Sequence, residues 1–270
     1  MARVKRSAAT GLPTVNFSEH GPVRYLHLGT EWVQGSMWRD RPDDIHLDYV
    51  QRMMAWLLWV PPETVADRKA MQLGLGAGTL TKFCARQLGM HTTVIEINPQ
   101  VVAACRLWFN LPPDSDRLQV VLGDAAEVAA HTHWRGQMDV LQVDLYDHEA
   151  AAPVLDSESF YADCRQLLSC HGCMSVNLFG RSSSYARSVE KISAVFGAQA
   201  VWAFKPTREG NTVVLAQRTP MLPDKGVLWS RAQMIEQRWG LPASNWLRLL
   251  APAIEACGLS QSQVVAQKKA

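Results

Sequence analysis

Leu73-Gly74-Leu75-Gly76-Ala77-Gly78-Thr79 constrains this chain more than any other stretch, because Glu96 closes Val94-Ile95-Glu96 eighteen residues after Gly78. A strand over 70–73 enters a turn of closely spaced glycines. It leaves as a helix with Leu80, Phe83, Cys84 and Leu88 on one face. Side chains at Gly74, Gly76 and Gly78 would block the tight turn and the close approach of the backbone to a ligand. Glu96, at the end of the next strand, is placed to accept both hydroxyls of a ribose. Together these features read as a grip for a nucleoside.

The spacing is G-x-G-x-G, and the third strand of the pattern ends in a second acid, at Gly123-Asp124-Ala125. A dinucleotide site aims a helix N-terminus at a pyrophosphate. An adenosyl sulfonium carries no phosphate, so acids and backbone groups suffice to hold it. Glu96 on the ribose and Asp124 on the adenine amino group suit S-adenosylmethionine or its decarboxylated form better than NAD.

The 270 residues are 47% hydrophobic, enough for one substantial core with appendages. A net charge of +2 gives no global field to attract nucleic acid or an anionic membrane. The basic start (Arg3, Lys5, Arg6) and the Lys268-Lys269 end read as solvated tails, with no apolar run after the start to make a secretory signal. The most apolar run, 53–60, is too short to span a bilayer and is closed by Pro61-Pro62. Six cysteines in a chain of this length make no disulfide framework. Cys170-His171-Gly172-Cys173 has no second C-x-x-C and reads as a turn between helix and strand. His131 and His133 lack identifiable partners, so no metal is expected. The expectation is a cytoplasmic enzyme.

Residues 1–20 read as a disordered tail. In 21–62, Tyr25–Leu28 and Glu31–Gln34 form a hairpin around Gly29-Thr30, and a helix begins at Asp43-Asp44 with Leu47, Val50, Met54, Leu57 and Leu58 at helical spacing. From 63 to 219 strands and helices alternate. Asn98-Pro99 caps a helix whose buried face is Val101, Ala104, Cys105 and Trp108. Near-continuous apolar strands between helices indicate a doubly wound, mostly parallel α/β sheet of seven strands, its last two an antiparallel edge hairpin flanking 208–211. That is the architecture of class I methyltransferases. Pro220 and Pro223 open a helical appendage over 220–270.

The strand over 138–143 ends at Asp144-Leu145-Tyr146-Asp147. Ligands of open α/β sheets sit outside the carboxyl ends of the strands. Two acids three apart, beside a sulfonium, can bind a cationic amine and take its proton. Asp147 alone could cap the next segment. An acid terminating a buried apolar strand, as Asp144 does, is costly without a role.

On these motifs, over about 22–218, the chain resembles the polyamine aminopropyltransferases, the spermidine and spermine synthases. Gly74 to Gly78 matches their glycine-rich loop, Glu96 their ribose acid, and Asp124-Ala125 their adenine-contacting Asp-Gly. Asp144 to Asp147 matches their D-x-x-D, whose first Asp is the base for the attacking amine. Phe160-Tyr161 fits the following helix, and Gln34 a nucleoside-contacting Gln of the N-terminal hairpin. The resemblance implies aminopropyl transfer from decarboxylated S-adenosylmethionine to a polyamine. Asp144 is then the base, and Asp147, Asp48 and Tyr146 lie on the acceptor side. The hairpin is similar to one used in dimers, which implies a homodimer.

The chain departs from the family at definite places. Ala77 replaces the loop Asp that holds the aminopropyl ammonium. The family's Y-[HQ]-E falls near Leu47-Asp48-Tyr49, where Asp48 is the expected polar substitute. His148 follows Asp147 in place of Pro, and the Pro-Thr-Tyr-Pro stretch becomes Lys205-Pro206-Thr207-Arg208. The nucleoside pocket is intact and the amine pocket altered. Methyl transfer from S-adenosylmethionine, or a non-catalytic homologue that keeps the nucleoside pocket, are the alternatives.

Overall fold

The computed structural model describes residues 11–146, 155–179 and 182–253. Three antiparallel strands come first, β1 (Val15–His20), β2 (Val23–Leu28) and β3 (Val33–Trp38). Helix α1 (Asp48–Arg52) and a 3-10 turn (Ala55–Trp59) lead into the α/β unit. There, β4 (Lys69–Leu73), α2 (Thr79–Lys82), β5 (His91–Glu96), α3 (Pro99–Trp108), β6 (Leu118–Leu122) and α4 (Ala125–Ala130) follow in turn. The chain continues through β7 (Met138–Val143), α5 (Glu158–Leu167), β8 (Leu168–Phe179), α6 (Ser182–Phe196), β9 (Val201–Phe204) and β10 (Asn211–Gln217). Two helices, α7 (Lys225–Trp239) and α8 (Ala243–Leu249), precede β11 (Leu250–Pro252). Among the described residues, no helix is long and apolar enough to cross a membrane.

Among the described residues the large sheet has eight strands, in the order β11-β9-β10-β8-β7-β4-β5-β6. From β4 the chain winds outward through β5 and β6, then returns to place β7 on the other side of β4. The strand order reverses between β4 and β7, and the loops leaving those two strands open the crevice where such sheets bind ligands. The parallel pairs β4–β5, β4–β7, β5–β6 and β7–β8 support that crevice, and β10 and β9 add antiparallel.

Several expectations change. The sheet has eight strands rather than seven, because Leu250–Pro252 pairs antiparallel with β9. Val15–His20, expected in the disordered tail, pairs with β2 along its whole length and makes the hairpin a three-stranded sheet. The first helix starts at Asp48 rather than Asp43. Asp43 instead pairs with Arg86 at 3.1 Å, while Asp44 N bonds Arg41 O in a turn. Helix α1 gives way to a 3-10 turn over Ala55–Trp59, all of it buried. Cys170 to Cys173 lies within β8 rather than in a turn, packed so that a Cβ at Gly172 would meet the Met138 carbonyl at 2.7 Å. Trp108 is half exposed, not buried. Its ring centroid lies 5.3 Å from that of Phe17 on β1, with the Arg24 guanidinium over both rings.

Lys82 fastens this frame behind the glycine turn. Wholly buried, its Nζ donates to the carbonyls of Pro42 (2.6 Å) and Phe109 (2.7 Å), joining the segment before α1 to the end of α3. Burial lowers its pKa from 10.5 to about 8, against the opposing pull of Asp43. Between those values the unfolded chain holds a proton that the folded chain has lost, so stability attributable to Lys82 rises with pH. The parent should gain about 3 kcal/mol relative to Lys82→Met between pH 8 and pH 10.5. Urea unfolding of both proteins across that range checks this, and a constant difference between them refutes it.

Candidate active site

The glycine turn exists because two loops must pass each other at the sheet's reversal point. Gly74 sits at φ +93°, and a Cβ there would collide with the Asp144 carbonyl oxygen. Gly74 N donates to Ile95 O and Asp144 N to Leu73 O, which ties the ends of β4, β5 and β7 together. Gly78, at φ +69°, is the N-cap of α2.

Above these ends lies a cavity of about 840 Å³. It brings together the expected Gln34, Asp48, Gly74, Gly76, Glu96, Asp124, Ala125, Asp144 and Tyr146. Gly78 shapes the turn without lining the cavity, and Asp147 lies outside the described residues.

Glu96 is nearly buried, and backbone amides hold both of its oxygens. Oε2 accepts from Leu75 N at 3.0 Å and Oε1 from Asn98 N at 2.8 Å. Burial raises its pKa, and these N–H groups oppose the rise. The carboxylate is thereby aimed, with lone pairs left to accept a diol. Asp124 caps α4, its Oδ1 accepting from Ala126 N at 2.7 Å.

Asp144 is half-buried, and side chains from two other elements hold its carboxylate. Asn177 Nδ2 donates to Oδ1 at 2.9 Å and Tyr49 Oη to Oδ2 at 3.2 Å. Burial raises the Asp144 pKa, with both bonds opposing. The Tyr49 pKa is raised well above its usual value by burial and then by the Asp144 charge, so the phenol stays a donor. Asn211 Nδ2 bonds Asn177 Oδ1 at 3.2 Å, and Tyr146 Oη donates to Asn177 O at 2.8 Å. Asp48 lines the cavity but is engaged by Arg52, whose Nη2 is 2.6 Å from Oδ2.

Tyr49, Asn177 and His46 line the cavity without having been picked out from the sequence. Asp48 is therefore not the one polar substitute in its segment: Tyr49 supplies the hydrogen bond to Asp144. The signal for Asn177 was present, as a lone amide near the carboxyl end of the apolar strand beside β7. His131 Nδ1 accepts from His133 N, a local turn contact.

No family profile matches the chain. It is 33% identical over 247 residues to a polyamine aminopropyltransferase of Chromobacterium violaceum, covering 91% of this chain and 92% of the relative. The chain belongs to the polyamine aminopropyltransferase family. Its fold is shared with the probable spermidine synthase of Corynebacterium glutamicum (TM-score 0.67, 16% identity, covering 87% of this chain and 90% of that one). It is also shared with human methyltransferase-like protein 13 in complex with SAH (TM-score 0.64, 22% identity, covering 72% and 93%).

This aminopropyltransferase is a transferase with alanine at position 77 of its glycine turn. Ala77 is 2% exposed, and an ideal Cβ on Gly35 of β3 would stand 2.8 Å from its methyl. With Tyr49, Thr79 and Asp144 it lines a second cavity of about 20 Å³, room for about one water-sized group.

Crowding at Gly74 makes a direct prediction. Gly74→Ala should destabilise the protein by about 3 kcal/mol or more, combining left-handed strain with displacement of the Asp144 loop. Thermal and urea unfolding measure it. A loss under about 1 kcal/mol would mean the two loops do not need this contact.

Proposed function

We propose that the protein transfers the aminopropyl group of decarboxylated S-adenosylmethionine to a polyamine acceptor and releases methylthioadenosine. The observation that carries this reading is the Asp144 carboxylate, held by Tyr49 and Asn177 in the same cavity as the diol-ready Glu96. Membership of the aminopropyltransferase family supports it.

In this reading Glu96 accepts the ribose hydroxyls, while Gly74 and Gly76 let the nucleoside lie against the backbone. Asp124 and Ala125 flank the adenine. An uncharged amine nitrogen attacks the methylene beside the sulfonium. The new C–N bond forms as the C–S bond breaks, and its electron pair goes to sulfur. A primary amine with a pKa of about 10 is almost wholly protonated at neutral pH, so its proton must go to a base. Asp144 takes it. Burial makes Asp144 a stronger base than an exposed carboxylate, and Tyr49 and Asn177 keep its plane fixed while the proton moves. Tyr146, Asp48 and Asp147 then belong to the acceptor side, Asp48 with its charge shared with Arg52.

Ala77 favours one second reading, methyl transfer from intact S-adenosylmethionine. A methyl in place of a carboxylate removes repulsion from the amino-acid tail. Mass spectrometry of products formed from each cofactor form with a panel of diamines separates the two reactions. Methylated amines and no methylthioadenosine would reject aminopropyl transfer.

Glu96→Ala should weaken methylthioadenosine binding by about 1.5–3 kcal/mol, the worth of hydrogen bonds to a charged group. Calorimetric titration of the folded variant measures it, and unchanged affinity removes Glu96 from the site. Asp144→Asn preserves shape while deleting the base. It should lower kcat by about 10²–10⁴-fold with little change in methylthioadenosine affinity. Parental activity should fall as pH drops through the raised Asp144 pKa, since protonation removes the acceptor. The variant should recover partly at high pH, where free amine accumulates. Near-parental kcat at neutral pH would refute the assignment.

A further inference from the structure

Beneath the active site, two glutamines face each other inside the sheet. Gln72 on β4 and Gln142 on β7 are register partners and almost wholly buried, at 1% and 0% exposure. Amides are costly to bury unless they are hydrogen-bonded. These are well supplied. Gln72 Nε2 donates to Gln142 Oε1 at 3.0 Å, and Thr81 Oγ1 donates to Gln72 Oε1 at 3.3 Å. Gln142 Oε1 also accepts from Cys84 Sγ at 3.5 Å, while its Nε2 reaches Met53 O at 3.4 Å and Met54 Sδ at 3.2 Å.

The network's ends are what give it meaning. Gly74 lies two residues beyond Gln72, and Asp144 two beyond Gln142. Met53 lies four beyond Tyr49, one helical turn, and Met53 N bonds Tyr49 O. The amide pair therefore links the three elements that meet at the site: the glycine turn, the Asp144 loop and the segment carrying Tyr49. An apolar pair of similar volume would fill the same space and deprive the buried Thr81 hydroxyl, the Cys84 thiol and the Met53 carbonyl of a partner, and replacing both members of a hydrogen-bonded pair by apolar groups can be nearly neutral for stability. What amides add is direction, because they fix where the backbone at Met53 docks. The Tyr49–Asp144 bond, at 3.2 Å, lies beyond the usual range for O–H···O, so a small shift of α1 would break it.

We infer that Gln72 and Gln142 are positioning residues that hold Tyr49 against the Asp144 carboxylate. The inference rests on the reading of Asp144 as the base. The test is the pair variant Gln72→Met/Gln142→Met, which removes both amides together. It should fold and bind methylthioadenosine within about twofold of the parent, while kcat with a diamine falls roughly tenfold at little-changed acceptor KM. Combined with Tyr49→Phe, it should slow turnover no further than Tyr49→Phe alone, because both act through one contact. Hydrogen exchange over 48–59 should quicken in the pair variant and not elsewhere. That readout needs no turnover, so it decides the inference even if the parent proves inactive and the aminopropyl reading fails. The inference is overturned by parental exchange over 48–59, by kcat within about twofold of the parent in a folded variant, or by effects that multiply with Tyr49→Phe. If the pair variant does not fold, Gln142→Asn, which keeps an amide but shortens its reach to Met53, is judged by the same criteria.

Discussion

The structure turns on the close passage of two backbones, Gly74 against the carbonyl of Asp144. Parallel strands that wind outward from β4 and then return to β7 must leave their two loops side by side. A glycine at positive φ lets those loops touch, and the touching places a carboxylate from β7 beside a turn from β4. The rest of the site is arranged around that contact. Ile95 O and Gly74 N bring the end of β5 to the same level, so Glu96 arrives at a defined height. Topology thus gathers residues 22 and 70 positions from Gly74 into one cavity with few additional constraints.

The two carboxylates solve the cost of burial differently. Glu96 is held by backbone N–H groups of Leu75 and Asn98, which sequence changes cannot readily remove. That is a rigid, recognition-type arrangement. Asp144 is held by side chains, Tyr49 and Asn177, from segments far apart in the chain. Its environment is therefore open to evolutionary adjustment. Burial raises the proton affinity of both; on the proposed reading this serves chemistry at Asp144, where a proton is to be accepted.

What could be read from the sequence follows from this division. The glycine turn, Glu96, Asp124 and Asp144 sit at strand ends, and alternating apolar strands with helices fixes where strand ends point. Tyr49 was missed because its role depends on a contact across 95 positions, and because the segment after it is buried all round and shows no helical face. β1 escaped notice because most of it is exposed, so it carries no apolar alternation. β11 escaped because three residues ending in proline form a strand only when β9 supplies the pairing edge. Asp48 was legible as an acid near the site, while its pairing with Arg52 was not, since the i,i+4 relation needs the helix to begin at that residue.

Ala77 and the Leu47-Asp48-Tyr49 stretch lie near one another in the fold. Ala77, Leu47 and Tyr49 line the small space between β3, the glycine turn and Asp144, whereas Asp48 lines the larger cavity. The resemblance implies an acid in the loop and a tyrosine at the start of the Y-[HQ]-E stretch; this chain has an alanine in the loop and a tyrosine two positions on. Asp144 lines that small space, its carboxylate held by the side chains of Tyr49 and Asn177. On the reading of Asp144 as the base, its geometry must be tightly held. Two side-chain donors and the buried amides beneath them supply that restraint.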